Sequence, residues 1–164
     1  MNKVFFGDCR DTMRDLIAQG VKVQMCVTSP PYFGLRDYGH PGQLGLEATP
    51  AEFVRAMVEV FALVRELLAD DGVLWLNLGD SYSGYHGNKN SEIPTSSTNG
   101  WTNGYNENMR KGRPQDMGMR PKNLLGIPWR VALALQEDGW NLRQDIIWHK
   151  PNPMPESVKD RCTK

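Results

Sequence analysis

Cysteine is scarce in this 164-residue chain, and Cys9, Cys26 and Cys162 form no C-x-x-C or Cys/His spacing. Neither a disulfide framework nor a metal site is expected, and the three read as free thiols. Long apolar runs are also missing. Met1 to Phe6 is too short a run for a signal peptide, Asp8 follows closely, and no later segment approaches the ~20 residues that cross a bilayer. A cytoplasmic chain without membrane association is expected. Net charge is absent too, with 19 lysines and arginines against 19 acids, so any nucleic-acid surface must come from local clustering. One cluster lies between Glu107 and Lys122, where Arg110, Lys111, Arg113, Arg120 and Lys122 outnumber Glu107 and Asp116. It reads as a solvated loop or as a set of phosphate contacts. What is present, 40% hydrophobic and 23% charged residues, suits one globular domain over 1–164.

Strand and helix signals alternate along the chain. Val4 to Phe6 reads as a short buried strand, and Asp11 as the cap of a helix that carries Met13, Leu16 and Ile17 and stops at Gly20. Val21 to Val27 is a valine-rich strand with Val23, Met25 and Val27 on one face, ended by Pro30 and Pro31. The glycines and proline between Phe33 and Leu46 mark an irregular loop. Thr49, Pro50 and Glu52 spell a capping box before the stripe Phe53, Met57, Val60, Phe61, Val64, Leu67 and Leu68. Asp70-Asp71-Gly72 reads as a turn, and Val73 to Leu78 as a parallel strand buried on both faces. Residues 81–122 turn abruptly polar and read as a flexible insertion. Pro128 then starts a helix bearing Trp129, Ala132, Leu133 and Leu135 and closing at Gly139, and Ile146 to Trp148 reads as a fourth strand. The pattern predicts an α/β fold with a mostly parallel sheet and flanking helices.

In such sheets ligands sit beyond the carboxyl ends of the strands, where Thr28-Ser29-Pro30-Pro31-Tyr32 falls. Two prolines remove two backbone donors and stiffen the chain, which leaves nearby carbonyls free to accept from a ligand. Ser29 adds a hydroxyl, and Tyr32 a flat face suited to a planar base. Elsewhere, Asp80 could meet the same sheet edge or merely cap, and Lys150 could touch a DNA phosphate or sit solvated in a proline-rich exit loop.

The run Val27 to Tyr32 resembles the catalytic motif of DNA amino-methyltransferases, and its serine resembles the cytosine-N4 branch; Asp or Asn is commoner in adenine-N6 enzymes. The resemblance continues through VLWLNLGDSY (Val73 to Tyr82) and from Lys122 to Lys164, in the permuted order called the beta class. It implies a partial Rossmann-like methyltransferase fold, S-adenosyl-L-methionine as methyl donor and double-stranded DNA as partner. Ser29 and the Pro30 carbonyl would accept hydrogen bonds from the exocyclic amino group, Pro31 would hold the turn, and Tyr32 would stack on a flipped base. Asp8 and Thr28 would contact the cofactor, unless Asp8 only caps the first helix; Arg110, Lys111, Arg113 and Lys150 would meet DNA. Carbon-5 methylation is not expected, because no cysteine follows a proline as a nucleophile would.

The chain departs from the family in one respect. A glycine-rich loop resembling Phe-x-Gly-x-Gly, which lets backbone approach the cofactor, is not found. The family would place it, with a further strand and a target-recognition region, beyond Lys164. The catalytic domain is therefore expected to be C-terminally incomplete. Three readings follow: an enzyme completed by further sequence or by a complementing C-terminal fragment, with cytosine N4 as target in a restriction–modification or phage setting; the same with adenine N6; or a non-catalytic remnant with weak DNA binding.

Overall fold

Thr49 opens the longest element through the capping box its sequence spells. Its hydroxyl accepts from the Glu52 amide at 3.2 Å, and Glu52 accepts in return from the Thr49 amide at 3.1 Å. In the computed structural model, which describes residues 2–83, 119–120 and 123–152, five elements follow in order. These are α1 (Cys9–Ala18), β1 (Val23–Thr28), α2 (Pro50–Leu67), β2 (Leu68–Leu76) and α3 (Ile127–Glu137). β1 and β2 pair in parallel, with α2 as the crossover between them. The α/β class is as expected, in partial form. None of the described helices is long and apolar enough to cross a membrane.

The core forms around α2. Phe53, Met57, Phe61 and Val64 recur at helical spacing and are buried, meeting Phe33, Leu68, Leu125 and, from α3, Ile127, Val131 and Leu135. Cys26, Leu74 and Leu76 pack against this cluster from the sheet. Burial pushes the Cys26 thiol pKa up, as suits a packed rather than a reactive cysteine. Arg65, near the end of α2, donates to the carbonyl of Asp138 and lies 3.0 Å from its carboxylate, which joins the ends of α2 and α3.

Several expectations are corrected. Val4 to Phe6 is not a buried strand: Val4 and Phe6 are 75% and 92% exposed, and no described strand lies beside them to pair with. Asp8, not Asp11, caps α1. The turn at Asp70 to Gly72 lies inside β2, which starts at Leu68. Between Val23↔Leu68 and Met25↔Val73 the register advances five residues on β2 for two on β1, so the turn survives as a bulge. A Cβ on Gly72 would sit 2.9 Å from the Ala69 carbonyl, so the bulge closes only around glycine. β2 ends at Leu76, and among the described residues only one sheet face is covered, against the expectation of burial on both. Trp129 and Leu133 are exposed, because the buried stripe of α3 runs through Ile127, Val131 and Leu135 instead. Ile146 to Trp148 forms no strand, lacking a described neighbour to pair with.

The insertion read over 81–122 has anchored ends. Tyr82 bridges Leu124 in antiparallel fashion, the Ser83 amide donates to Asn123 at 2.8 Å, and the Ser83 hydroxyl donates to the Arg120 carbonyl at 2.7 Å. Most of the insertion, with Arg110, Lys111 and Arg113, lies outside the described residues.

Two substitutions probe the core and the cap by urea unfolding followed by circular dichroism. Phe53→Ala removes a fully buried ring and is expected to cost roughly 3–5 kcal/mol. Thr49→Ala loses the cap and is expected to cost about 1 kcal/mol.

Candidate active site

β1 delivers its chain directly into the Pro-Pro turn. The Asn77 amide donates to the Thr28 carbonyl at 3.0 Å, which prolongs the parallel ladder one step past β2 and fixes where Ser29 begins. Beyond the turn, Phe33 is 2% exposed and packs against Phe53 at 5.6 Å between ring centroids. The Leu35 amide donates to the Tyr32 carbonyl at 3.3 Å, and the Ser81 hydroxyl to the Phe33 carbonyl at 3.1 Å. The Pro30 carbonyl accepts no hydrogen bond from another described residue.

The loop of residues 34–45 folds back over the turn. The Gly34 amide donates to the Gly45 carbonyl at 2.7 Å, and the Gly45 amide to the Glu47 carboxylate at 2.9 Å. Gly45 has φ +97°, and a Cβ there would lie 3.1 Å from both Pro31 Cβ and the Tyr32 carbonyl. Only glycine takes this conformation at this separation. The fold-back makes an open cleft of about 290 Å³ lined by Ser29, Pro30, Pro31, Tyr32, Leu35, Arg36 and Tyr38.

Tyr32 is held from two sides. Its phenol oxygen accepts from Asn77 Nδ2 at 3.1 Å and from the Ser29 hydroxyl at 3.3 Å, and a Cβ at Gly79 would lie 2.8 Å from ring atom Cε2. Ser29 Oγ, 3.3 Å from the Tyr32 phenol oxygen, lines the cleft with lone-pair capacity to accept from a donor there. Asn77, Gly79, Arg36 and Tyr38 escape the sequence reading. Asn77 and Gly79 were accessible in principle, since parallel neighbours deliver their exits to the same sheet edge; nothing marked Arg36 or Tyr38 within an irregular loop.

The other residues singled out from the sequence are dispersed. Asp80 takes the bland role, since its carboxylate accepts from the amides of Ser81, Gly126 and Ile127 at 2.8, 3.0 and 3.0 Å. It therefore caps α3, whose own N-cap, Gly126 at φ +70°, has no side chain to do so. Lys150 stands exposed in the irregular stretch after α3. Asp8 caps α1 by accepting from the Arg10 amide at 2.8 Å, and Arg10 Nε and Nη2 hold the same carboxylate at 3.0 and 2.5 Å. The Arg10 side chain first, and its amide second, hold the Asp8 pKa at about 2, below the ordinary 3.8.

As for a cofactor, the cleft offers one cation and no carboxylate to meet an α-ammonium group, and its volume lies near the lower end of the ~300–1,000 Å³ usual for ligand pockets. Its size and lining fit a planar base. They do not fit S-adenosyl-L-methionine in addition, and Asp8 is occupied by Arg10.

Residues 23–164 match the family described as DNA methylase. The chain is 48% identical over 158 residues to the Type II methyltransferase M.XycI of Xanthomonas campestris pv. cyanopsidis, covering 96% of this chain and 49% of that one. It is 46% identical to M.Cfr9I of Citrobacter freundii, covering 98% and 50%, and 45% identical to M.SmaI of Serratia marcescens, covering 99% and 52%. The chain thus spans about half the length of these curated relatives. No solved structure matches it.

Two measurements test the local geometry. Because the folded pKa of Asp8 is depressed, its contribution to α1 is present above 3.8 and lost as pH falls through about 2. The Asp8 carboxyl carbon shift is expected to titrate near about 2, and Arg10→Gln to return the midpoint toward 3.8. Gly79→Ala is expected to displace the Tyr32 ring while the melting temperature falls by only a few degrees, roughly the effect of about 1 kcal/mol. Chemical shifts of labelled Tyr32 read the displacement.

Proposed function

This chain belongs to the DNA methylase family, and we propose that its Ser29-Pro30-Pro31-Tyr32 turn receives the exocyclic amino group of cytosine for methylation at N4. The observation that carries the reading is the lining of the cleft: Ser29, whose hydroxyl has lone pairs to accept with, and Pro30, whose carbonyl takes no hydrogen bond from another described residue, stand side by side there and offer a pair of acceptors. A base amino group is a poor nucleophile because its lone pair is delocalised into the ring. Two acceptors that draw its hydrogens out of the ring plane localise that pair on nitrogen. Pro31 fixes the turn, and Tyr32, pinned by Asn77 and Gly79, supplies the face on which a flipped base stacks. Transfer is direct, with no covalent intermediate.

S-adenosyl-L-methionine supplies the methyl group in this reading. Its site is completed by sequence equivalent to the half of the relatives that this chain does not match, joined to it or provided as a complementing fragment. Thr28, which ends β1 next to Ser29, would be one cofactor contact, with Asp8 as a second only if Arg10 releases it. Double-stranded DNA is the partner, with Arg110, Lys111, Arg113 and Lys150 as phosphate contacts. In this reading the activity is cytoplasmic and of the Type II methyltransferase kind for which the relatives are named. One observation favours a second reading, a remnant with weak DNA binding: the cleft has room for a base but not for the cofactor as well.

Calorimetric titration of the isolated chain with S-adenosyl-L-methionine is expected to show no binding. In the completed enzyme, labelled methyl is expected in N4-methylcytosine after DNA digestion; label in N6-methyladenine would overturn the assignment of the base, and no label at all would favour the remnant. Ser29→Ala in that enzyme is expected to cut turnover on the order of 10²-fold, the usual cost of a lost preorganised hydrogen-bonding group, with cofactor affinity unchanged. Equal loss of both would show that Ser29 does not act as an acceptor for the base.

A further inference from the structure

Arg36 lines the same cleft as Ser29, Pro30 and Tyr32, yet hydrogen bonding and stacking of a base there make no use of a cation. It is the one charged residue of the lining, so no carboxylate in the cleft opposes an anion. Arg10, Arg14 and Arg65 are each tied to a carboxylate, whereas Arg36 is in none of the ion pairs among the described residues. Asp37 and Glu47, the acids that follow it in sequence, are engaged with backbone: Asp37 accepts from the Gly39 amide at 2.7 Å and Glu47 from the Gly45 amide at 2.9 Å. The backbone that carries Arg36 is held in place. Gln43 reaches across the loop with its side-chain amide, donating to the Arg36 carbonyl at 3.0 Å and accepting from the Tyr38 amide at 2.7 Å, as a neighbouring strand would. Together with the bond from Gly34 to Gly45 at the base of the loop, this fixes Arg36 at the wall of the cleft.

We propose that Arg36 forms a phosphate subsite of the cleft and holds a phosphate of the same nucleotide whose base enters the Ser29 to Tyr32 turn. A base turned out of a duplex stays joined to its sugar and phosphate, so a site for the base has a phosphate beside it. A guanidinium suits that group, because its planar fork donates two parallel hydrogen bonds to phosphate oxygens and keeps its charge. The carboxylate of S-adenosyl-L-methionine suits the same fork, but the cleft lacks room for that cofactor beside a base. The contact differs from those of cations spread over a DNA-facing surface: it forms when the base is in the cleft, and so favours the extruded nucleotide over the stacked one. The inference rests on the reading of the turn as a base site and is independent of which base is methylated.

The test titrates the isotopically labelled chain with deoxycytidine and deoxyadenosine, each with and without a monophosphate, and reads the Arg36 Nε, Ser29 and Tyr32 resonances. The nucleoside whose base fits the turn is expected to move Ser29 and Tyr32. Its monophosphate is expected to move Arg36 Nε as well and to bind about fivefold more tightly, as an exposed charge pair allows. Arg36→Gln is expected to abolish that advantage and leave nucleoside affinity unchanged, and Arg36→Lys, which keeps the charge without the fork, to retain part of it. The advantage should also shrink as salt is raised. Because Arg36 is exposed, neither substitution should change the circular dichroism of the chain. An unmoved Arg36 Nε, a monophosphate that binds no better than its nucleoside, or an advantage that survives Arg36→Gln would each overturn the proposal. A response of Arg36 to the monophosphates and to inorganic phosphate, with Ser29 and Tyr32 unmoved by either nucleoside, would leave the phosphate subsite standing and count against the proposed function alone.

Discussion

Phe33 seated against Phe53 is the contact on which the site depends. A Pro-Pro turn has few backbone hydrogen bonds of its own, so its position must be imposed from outside. Phe33, one residue beyond Tyr32 and almost wholly buried, ties the turn to α2, while the Asn77-to-Thr28 bond ties its beginning to the sheet. Between these anchors Ser29 stays exposed, and the Pro30 carbonyl takes no hydrogen bond from another described residue.

The exit of β2 does the rest within four residues. Asn77 bonds to Tyr32, Gly79 lets the ring approach, and Asp80 caps α3. Site and scaffold are coupled there: the carboxylate that stabilises α3 lies next in sequence to the glycine on which the ring rests. Ser81 continues the pattern, donating from its hydroxyl to Phe33 and accepting at its carbonyl from Leu125. A substitution anywhere in 77–81 is therefore felt both in the core and in the cleft.

α2 covers one face of the two-stranded sheet, and the opposite face is exposed among the described residues. The cleft lies at the end of that sheet, where β1 runs into the Pro-Pro turn.

Local signals were legible in the sequence. The capping box at Thr49, the stripe of α2, the start of α3 near Pro128 and the Ser29 to Tyr32 motif at a strand end all follow from short-range patterns, because capping, periodicity and proline stereochemistry act within a few residues. What depended on distant partners was not legible. Val4 to Phe6 and Ile146 to Trp148 have strand-forming composition, but a strand exists only where a neighbour takes its hydrogen bonds. Asp80 could not be assigned to α3, nor Asn77 and Gly79 to Tyr32, nor Arg36 and Tyr38 to the cleft, until the chain folded back on itself. Short-range chemistry therefore settles where the chain coils, where it is able to extend and where the Pro-Pro turn interrupts it. Folding settles which strands pair, which face is covered and which side chains surround Ser29, because each of these is a contact between residues far apart in the chain.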